Sequence, residues 1–189
     1  VQHTMGPDYR KDQDPEESSR HFIDLELYGE FPFSVLDLNY DHLVGRFGKE
    51  RVEKNGTLPW TTQRTFEQLI EAFQLRDLEQ ILLYSADLSH YVGDLHQPFH
   101  TTENFDGQLT GQLGIHSRFE SDLVNLYLEQ VPFAKAAPTD MEPVMGQLHD
   151  VAVESYQWVV DILLADGRVV SELEIDRKKL QGQANEGKK

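Results

Sequence analysis

The stretch LEQILLYSADLSHYVGDLHQPFH, residues 78–100, decides how the chain is read. Leu78, Ile81, Leu82, Ser85, Leu88 and Val92 recur at the spacing of one helix face, which predicts a buried stripe. Asp77 stands where an N-cap belongs and Pro98 where a helix must stop. On this helix His90 and Asp94 are four apart, so both side chains project from one face and can share a cation. His96 and His100 follow at once.

Working outward, TTQRTFEQLIEAF at 61–73 places Phe66, Leu69, Ile70 and Phe73 on a second amphipathic face. NGTLPW at 55–60 reads as the turn before it. A short helix within 34–47, marked by Val35, Leu43, Val44 and Phe47, is expected to close at Gly48. Downstream, Ile115, Phe119, Leu123, Leu126 and Tyr127 predict one long stripe. Val144, Leu148, Val151, Ser155, Trp158, Val159 and Ile162 predict another, ended by Asp166-Gly167. No segment alternates as a strand does, and nothing repeats at a fixed period. The expected fold is all-α, a single compact helical domain over residues 1–175 with a polar tail from 176 to 189.

The chain has 189 residues, 39% of them hydrophobic, enough for one core. Its 17 basic and 33 acidic residues leave a formal net charge of −16, which argues against non-specific nucleic-acid binding through a basic surface. A phosphate-bearing substrate would therefore need local positive charge. No apolar run reaches the ~18 residues of a transmembrane candidate, and no signal-peptide pattern opens the chain. The absence of cysteine removes disulfides and thiolate metal sites, leaving imidazole and carboxylate as the strong ligands.

His116 and Glu120 repeat the four-residue spacing on a later helix, with His100 between the two pairs. A lone pair of this kind is commonly a surface ion pair. Two pairs together with HQPFH point to a metal site, and mixed nitrogen and oxygen ligands favour zinc, or a neighbouring transition metal, over calcium or magnesium.

HYVGDLHQPFH at 90–100 followed by HSRFE at 116–120, with GPDY and SRHFID upstream, resembles the zinc-dependent phospholipase C group and its relatives, the single-strand-specific zinc nucleases. The resemblance spans roughly residues 3–165. It implies a helical domain built around a multinuclear zinc cluster of two or three ions, hydrolysing a phosphodiester. One zinc would be held by Asp8, His21, His90 and Asp94, and a second by His100, His116 and Glu120. Asp94 would also reach a third ion, completed in the family by an amino-terminal tryptophan and a nearby histidine. Val1-Gln2-His3 does not match that segment, so the family's first helix is expected to be missing here, with His3 no more than a candidate substitute.

By the same resemblance Asp8 would orient or deprotonate the attacking water, and zinc ions about 3.5–4 Å apart would clamp the phosphodiester. Bound zinc would also supply the positive charge that the acidic chain lacks. Phe22 and Asp24 match the base-binding pair of the nucleases, and Tyr9 follows Asp8 as in the phospholipase C branch. The glutamate of HSRFE and the lack of a GGN element favour phospholipase C; SRHFID and DLHQPFH read like nuclease forms. The lean is to a phospholipase C-like esterase, with a single-strand nuclease or 3'-nucleotidase as the alternative. A helical domain that binds zinc only for stability is the alternative of another class. The resemblance further implies export, to the medium or periplasm, and no protein partner is indicated.

The remaining polar features receive ordinary structural readings. His42 is expected on a solvated helix face, His96 as a residue that supports the ligands from behind or is structural, and His149 as a satisfied interior histidine. DQDPEE at 12–17 is expected to be a solvated loop, and Phe22 could equally be core.

Overall fold

A computed structural model describes residues 4–34, 36–131 and 143–176. His3, Val35 and the tail from residue 177 lie outside the described residues. Among the described residues all regular structure is helical, as the periodicities predict, and no helix is long and apolar enough to cross a membrane. The chain divides into two compact units, Val1–Glu103 with Met141–Tyr156, and Asn104–Asp140 with Gln157–Lys189.

Among its described residues the first unit contains α1 (Gly6–Arg10), α2 (Tyr40–Phe47), α3 (Lys49–Lys54), α4 (Leu58–Leu75) and α5 (Leu78–Leu95). Short 3-10 turns lie at Ser18–His21, Leu25–Tyr28 and Pro98–His100. The expected helix within 34–47 begins only at Tyr40, where the Asn39 side chain accepts from His42 N, and ends at Gly48 as anticipated. Only residues 55–57 of NGTLPW form the turn. Leu58, Pro59 and Trp60 already belong to α4, because proline suits the first turn of a helix, where its missing N–H is not needed. Asp77 caps α5 by accepting from Glu79 N and Gln80 N.

The stripes predicted on α4 and α5 are not the buried faces. Leu78 and Leu82 are 74% and 73% exposed, and Phe73 is 58% exposed. The two helices instead bury Thr61, Thr62, Thr65 and Ala72 on α4, and Ala86, Asp87, Tyr91, Asp94 and Leu95 on α5. Small side chains allow the close approach, and Thr62 and Thr65 satisfy their hydroxyls on carbonyls four residues back. The polar face of α5 therefore turns inward because it is the face with partners. The core of this unit is formed by Ile23, Leu25, Tyr28, Phe33, Leu43, Leu58, Trp60, Tyr91 and Leu95, with Leu148, Ala152 and Val153.

The helix α8 (Val144–Glu172) contributes its first turns, through Tyr156, to the first unit and the remainder to the second. Leu148, Ser155 and Val159 are buried as expected, whereas Trp158 is exposed. The helix does not end at Asp166-Gly167. Asp166 accepts hydrogen bonds from Gln112 Nε2 and Arg118 Nη2 within the second unit, and the helix carries Gly167 through despite its cost of about 1 kcal/mol.

In the second unit the expected long helix from Ile115 is a succession of geometries. It comprises α6 (Ile115–Ser117), a π-helical segment (Arg118–Leu123), α7 (Val124–Tyr127) and a 3-10 turn (Leu128–Gln130). Ile115 is buried, but Leu123, Leu126 and Tyr127 are exposed. The wider π turn shifts the later residues off the face their spacing predicts.

Candidate metal centre

Backbone hydrogen bonds bring His21 to α5. The extended residues after it are held on both sides: Thr57 N donates to Ser19 O at 2.7 Å and Leu58 N to Phe22 O at 3.2 Å, while Ile23 N donates to His100 O at 2.8 Å. Gly56 fits beneath this segment with φ +86°, and a Cβ there would fall 2.0 Å from the Phe22 carbonyl oxygen. Glycine is required at that position on both counts. On the other side α1 is fixed to α5 by a bidentate pair, Arg10 Nη1 and Nη2 to the two Asp87 oxygens at 3.1 and 2.9 Å.

The result is a convergence of Asp8, His21, His90 and Asp94. His21 Nδ1 lies 3.0 Å from both His90 Nε2 and Asp94 Oδ2, and His90 Nε2 lies 3.3 Å from Asp94 Oδ2. Asp8 Oδ1 is 3.8 Å from His21 Nδ1 and 3.7 Å from His90 Nε2. Ligands ~2.0–2.1 Å from a tetrahedral zinc stand about 3.3 Å apart, and these separations bracket that edge. Asp8, His21 and His90 offer ligand atoms that all lie within 4.8 Å of one another. The donor set, two imidazoles with carboxylate oxygen, suits zinc.

Asp94 faces histidines with both oxygens, since Oδ1 lies 3.2 Å from His100 Nδ1. Burial alone would push its carboxyl up. Hydrogen bonds with His100 and His21, and the charges of His100 and His90, outweigh burial and hold it down at about 2.

Exposure separates the candidate ligands. The Asp8 side chain is 33% exposed, against 4% for His21 and 9% for Asp94. The cluster therefore opens to solvent on the Asp8 side. Lys11 Nζ donates to Asp8 Oδ1 at 2.8 Å, placing a cation at that opening. Of the second expected set, His100 belongs to the first unit, while His116 and Glu120 belong to the second, with His116 Nε2 2.9 Å from Glu120 Oε2.

The other expected site residues are positioned as follows. Tyr9, on α1, is 65% exposed. Phe22 is half-buried, its ring beside Gly56. Asp24 is half-buried, and its carboxyl is pushed up to about 7, first by burial and then by the charges of Glu26 and Glu103. His42 is solvated, 3.0 Å from Asp37. His96 Nδ1 lies 2.7 Å from Val92 O at the end of α5, a structural contact. His149 departs from its expected satisfied state: Nδ1 lies 3.3 Å from Asp150, but Nε2 is buried without a partner among the described residues.

DQDPEE also needs correction at its last residue. Glu17 is fully buried, bonded to Tyr91, Arg10 and Arg20. Arg10, Glu17, Asp87 and Tyr91 are residues the sequence reading missed. The only local signal was the four-residue spacing of Glu17 and His21, in a segment without helical period.

A scan against protein-family models found no match, and searches of curated proteins and of solved structures found none.

Proposed function

We propose that the protein is a zinc-dependent phosphoric diester hydrolase of phospholipase C-like type. The observation that carries this reading is the convergence of Asp8, His21, His90 and Asp94 at 3.0–3.8 Å from separate parts of the chain. These four are the residues that the resemblance assigns to one zinc. The proposal is confined to this set in the first unit and does not depend on His116 and Glu120 of the second.

Bound zinc supplies Lewis acidity toward a phosphoryl oxygen and makes water a nucleophile at neutral pH. His21, His90 and Asp94 would hold the cation from the buried side. Asp8 would complete the set from the solvent side, where its carboxylate can also orient a water or take its proton. Lys11, beside Asp8, gives an anionic phosphodiester a second positive contact. The openness at Asp8 favours catalysis over a purely structural metal, whose ligands would close around it. Tyr9, exposed on the same helix as Asp8, is the residue that the resemblance offers for a substrate head group.

The test is turnover by one zinc-loaded preparation of the full chain, offered phosphatidylcholine and single-stranded DNA, each with a chelated control. The reading expects phosphocholine release that disappears with chelation. Nucleotide release alone would favour the nuclease alternative, with Phe22 and Asp24 as the base site. Silence on both substrates, from protein shown to hold zinc, would overturn the hydrolase reading.

A further inference from the structure

A buried carboxylate that the chemistry above does not use stands behind one of the ligands. Glu17 Oε1 accepts the Tyr91 hydroxyl at 2.5 Å, and Oε2 accepts from Arg20 Nη1 at 2.7 Å and Arg10 Nε at 3.2 Å. Oε1 also lies 3.5 Å from His21 Nε2, a nitrogen that is buried with no hydrogen bond among the described residues. The opposite ring nitrogen, Nδ1, is the one turned toward Asp94 and His90.

A neutral imidazole that gives one nitrogen to a cation carries its proton on the other, and that proton needs an acceptor when buried. We propose that Glu17 is the positioning residue of this metal centre, taking the Nε2–H of His21 and so fixing the tautomer that leaves Nδ1 bare toward the cation. This rests on the metal-centre reading above. Ligating histidines are commonly oriented in this way by a carboxylate behind them.

The surroundings make Glu17 more than a neutralising charge. Tyr91 lies on α5 beside His90, and its hydroxyl fills part of the same Oε1. Arg10 joins Glu17 to Asp87 on α5 and lies on α1 with Asp8. One network thus ties the segments bearing Asp8, His21, His90 and Asp94. A role confined to balancing Arg10 and Arg20 would leave the His21 tautomer unmoved.

The Glu17→Gln variant separates the two roles. Its amide oxygen is drawn to the two guanidiniums, which turns the NH2 toward His21 Nε2 and favours the opposite tautomer. Zinc affinity would be measured on the full chain by competition with a chromophoric chelator, for wild type, Glu17→Gln and Glu17→Asp. Nitrogen-15 shifts of the His21 ring would be read in parallel. Expected are a proton on Nε2 in the zinc-loaded wild type and roughly 10–100-fold weaker zinc binding in Glu17→Gln with unchanged helical signal. Partial recovery is expected in Glu17→Asp.

Glu17→Gln binding zinc within about twofold of wild type would overturn the positioning role alone. A loaded wild type with its proton on Nδ1 would overturn the positioning role together with the assignment of His21 Nδ1 as a ligand, and it decides the matter even if the variants do not fold. A wild type without zinc affinity would remove the metal-centre reading and this proposal together.

Discussion

His21 Nδ1 lies 3.0 Å from His90 Nε2, although the two residues are 69 positions apart. Two imidazole nitrogens this close, with Asp94 Oδ2 within 3.3 Å of both, would repel if each offered only a lone pair. A shared proton or a shared cation relieves the arrangement. A shared cation would explain in addition why Asp8 closes on the same point.

Asp8→Asn tests the division of labour among the ligands. An amide oxygen can still contact a metal but cannot take a proton from water. Turnover is expected to fall by about 100-fold or more, while bound zinc falls by less, as measured by metal analysis beside the phosphodiesterase assay. Loss of all zinc with unfolding would make Asp8 a structural ligand instead.

Chelation tests whether the metal builds the fold. The first unit has a core of Ile23, Leu25, Leu43, Leu58 and Leu95 independent of any ligand side chain. Removing zinc is expected to abolish activity and to leave the far-ultraviolet helical signal in place. A structural zinc would take the helices with it.

Asp24 gives a dependence on pH. Its folded carboxyl is raised to about 7 by burial and by Glu26 and Glu103, whereas in the unfolded chain it titrates near its ordinary value. The neutral form is thus favoured by the fold, and stability falls as pH rises between the two values. The full penalty is present above pH ~7 and absent below pH ~4. Asp24→Asn in chelated protein is expected to gain stability of the order of 2 kcal/mol at pH 8, after allowance for partial solvent screening, and little at pH 4. Urea midpoints at the two pH values would show it.

Gly56→Ala places a methyl group 2.0 Å from Phe22 O at φ +86°. It is expected to destabilise by about 1–3 kcal/mol and, because Phe22 follows His21, to weaken zinc binding as well. Gly48→Ala, also at positive φ but with open space around it, is the control that leaves zinc binding unchanged.

The helical class, the capping of α5 by Asp77 and the shared face of His90 and Asp94 were legible because each depends on local periodicity or a short motif. The buried faces were not legible. Phe73 on α4 and Leu78 and Leu82 on α5 lie on the stripes that pattern alone selects, yet the paired helices bury threonines, alanines and the Asp87-Tyr91-Asp94 face instead. That choice depends on partners distant in sequence, such as Arg10 and Glu17, which no local pattern announces. The run from Ile115 failed for a different reason, since a π-helical segment changes the period itself. Leu82→Lys is accordingly expected to cost no more than about 0.5 kcal/mol by urea denaturation, where a buried stripe would have cost several.

The most direct measurement is a zinc titration of the chelated full chain beside its His21→Ala/His90→Ala variant, by calorimetry with circular dichroism on both. The account predicts tight binding by the wild type and at least one fewer tight site in a variant that remains helical. Equal stoichiometry and affinity in the two proteins would contradict it.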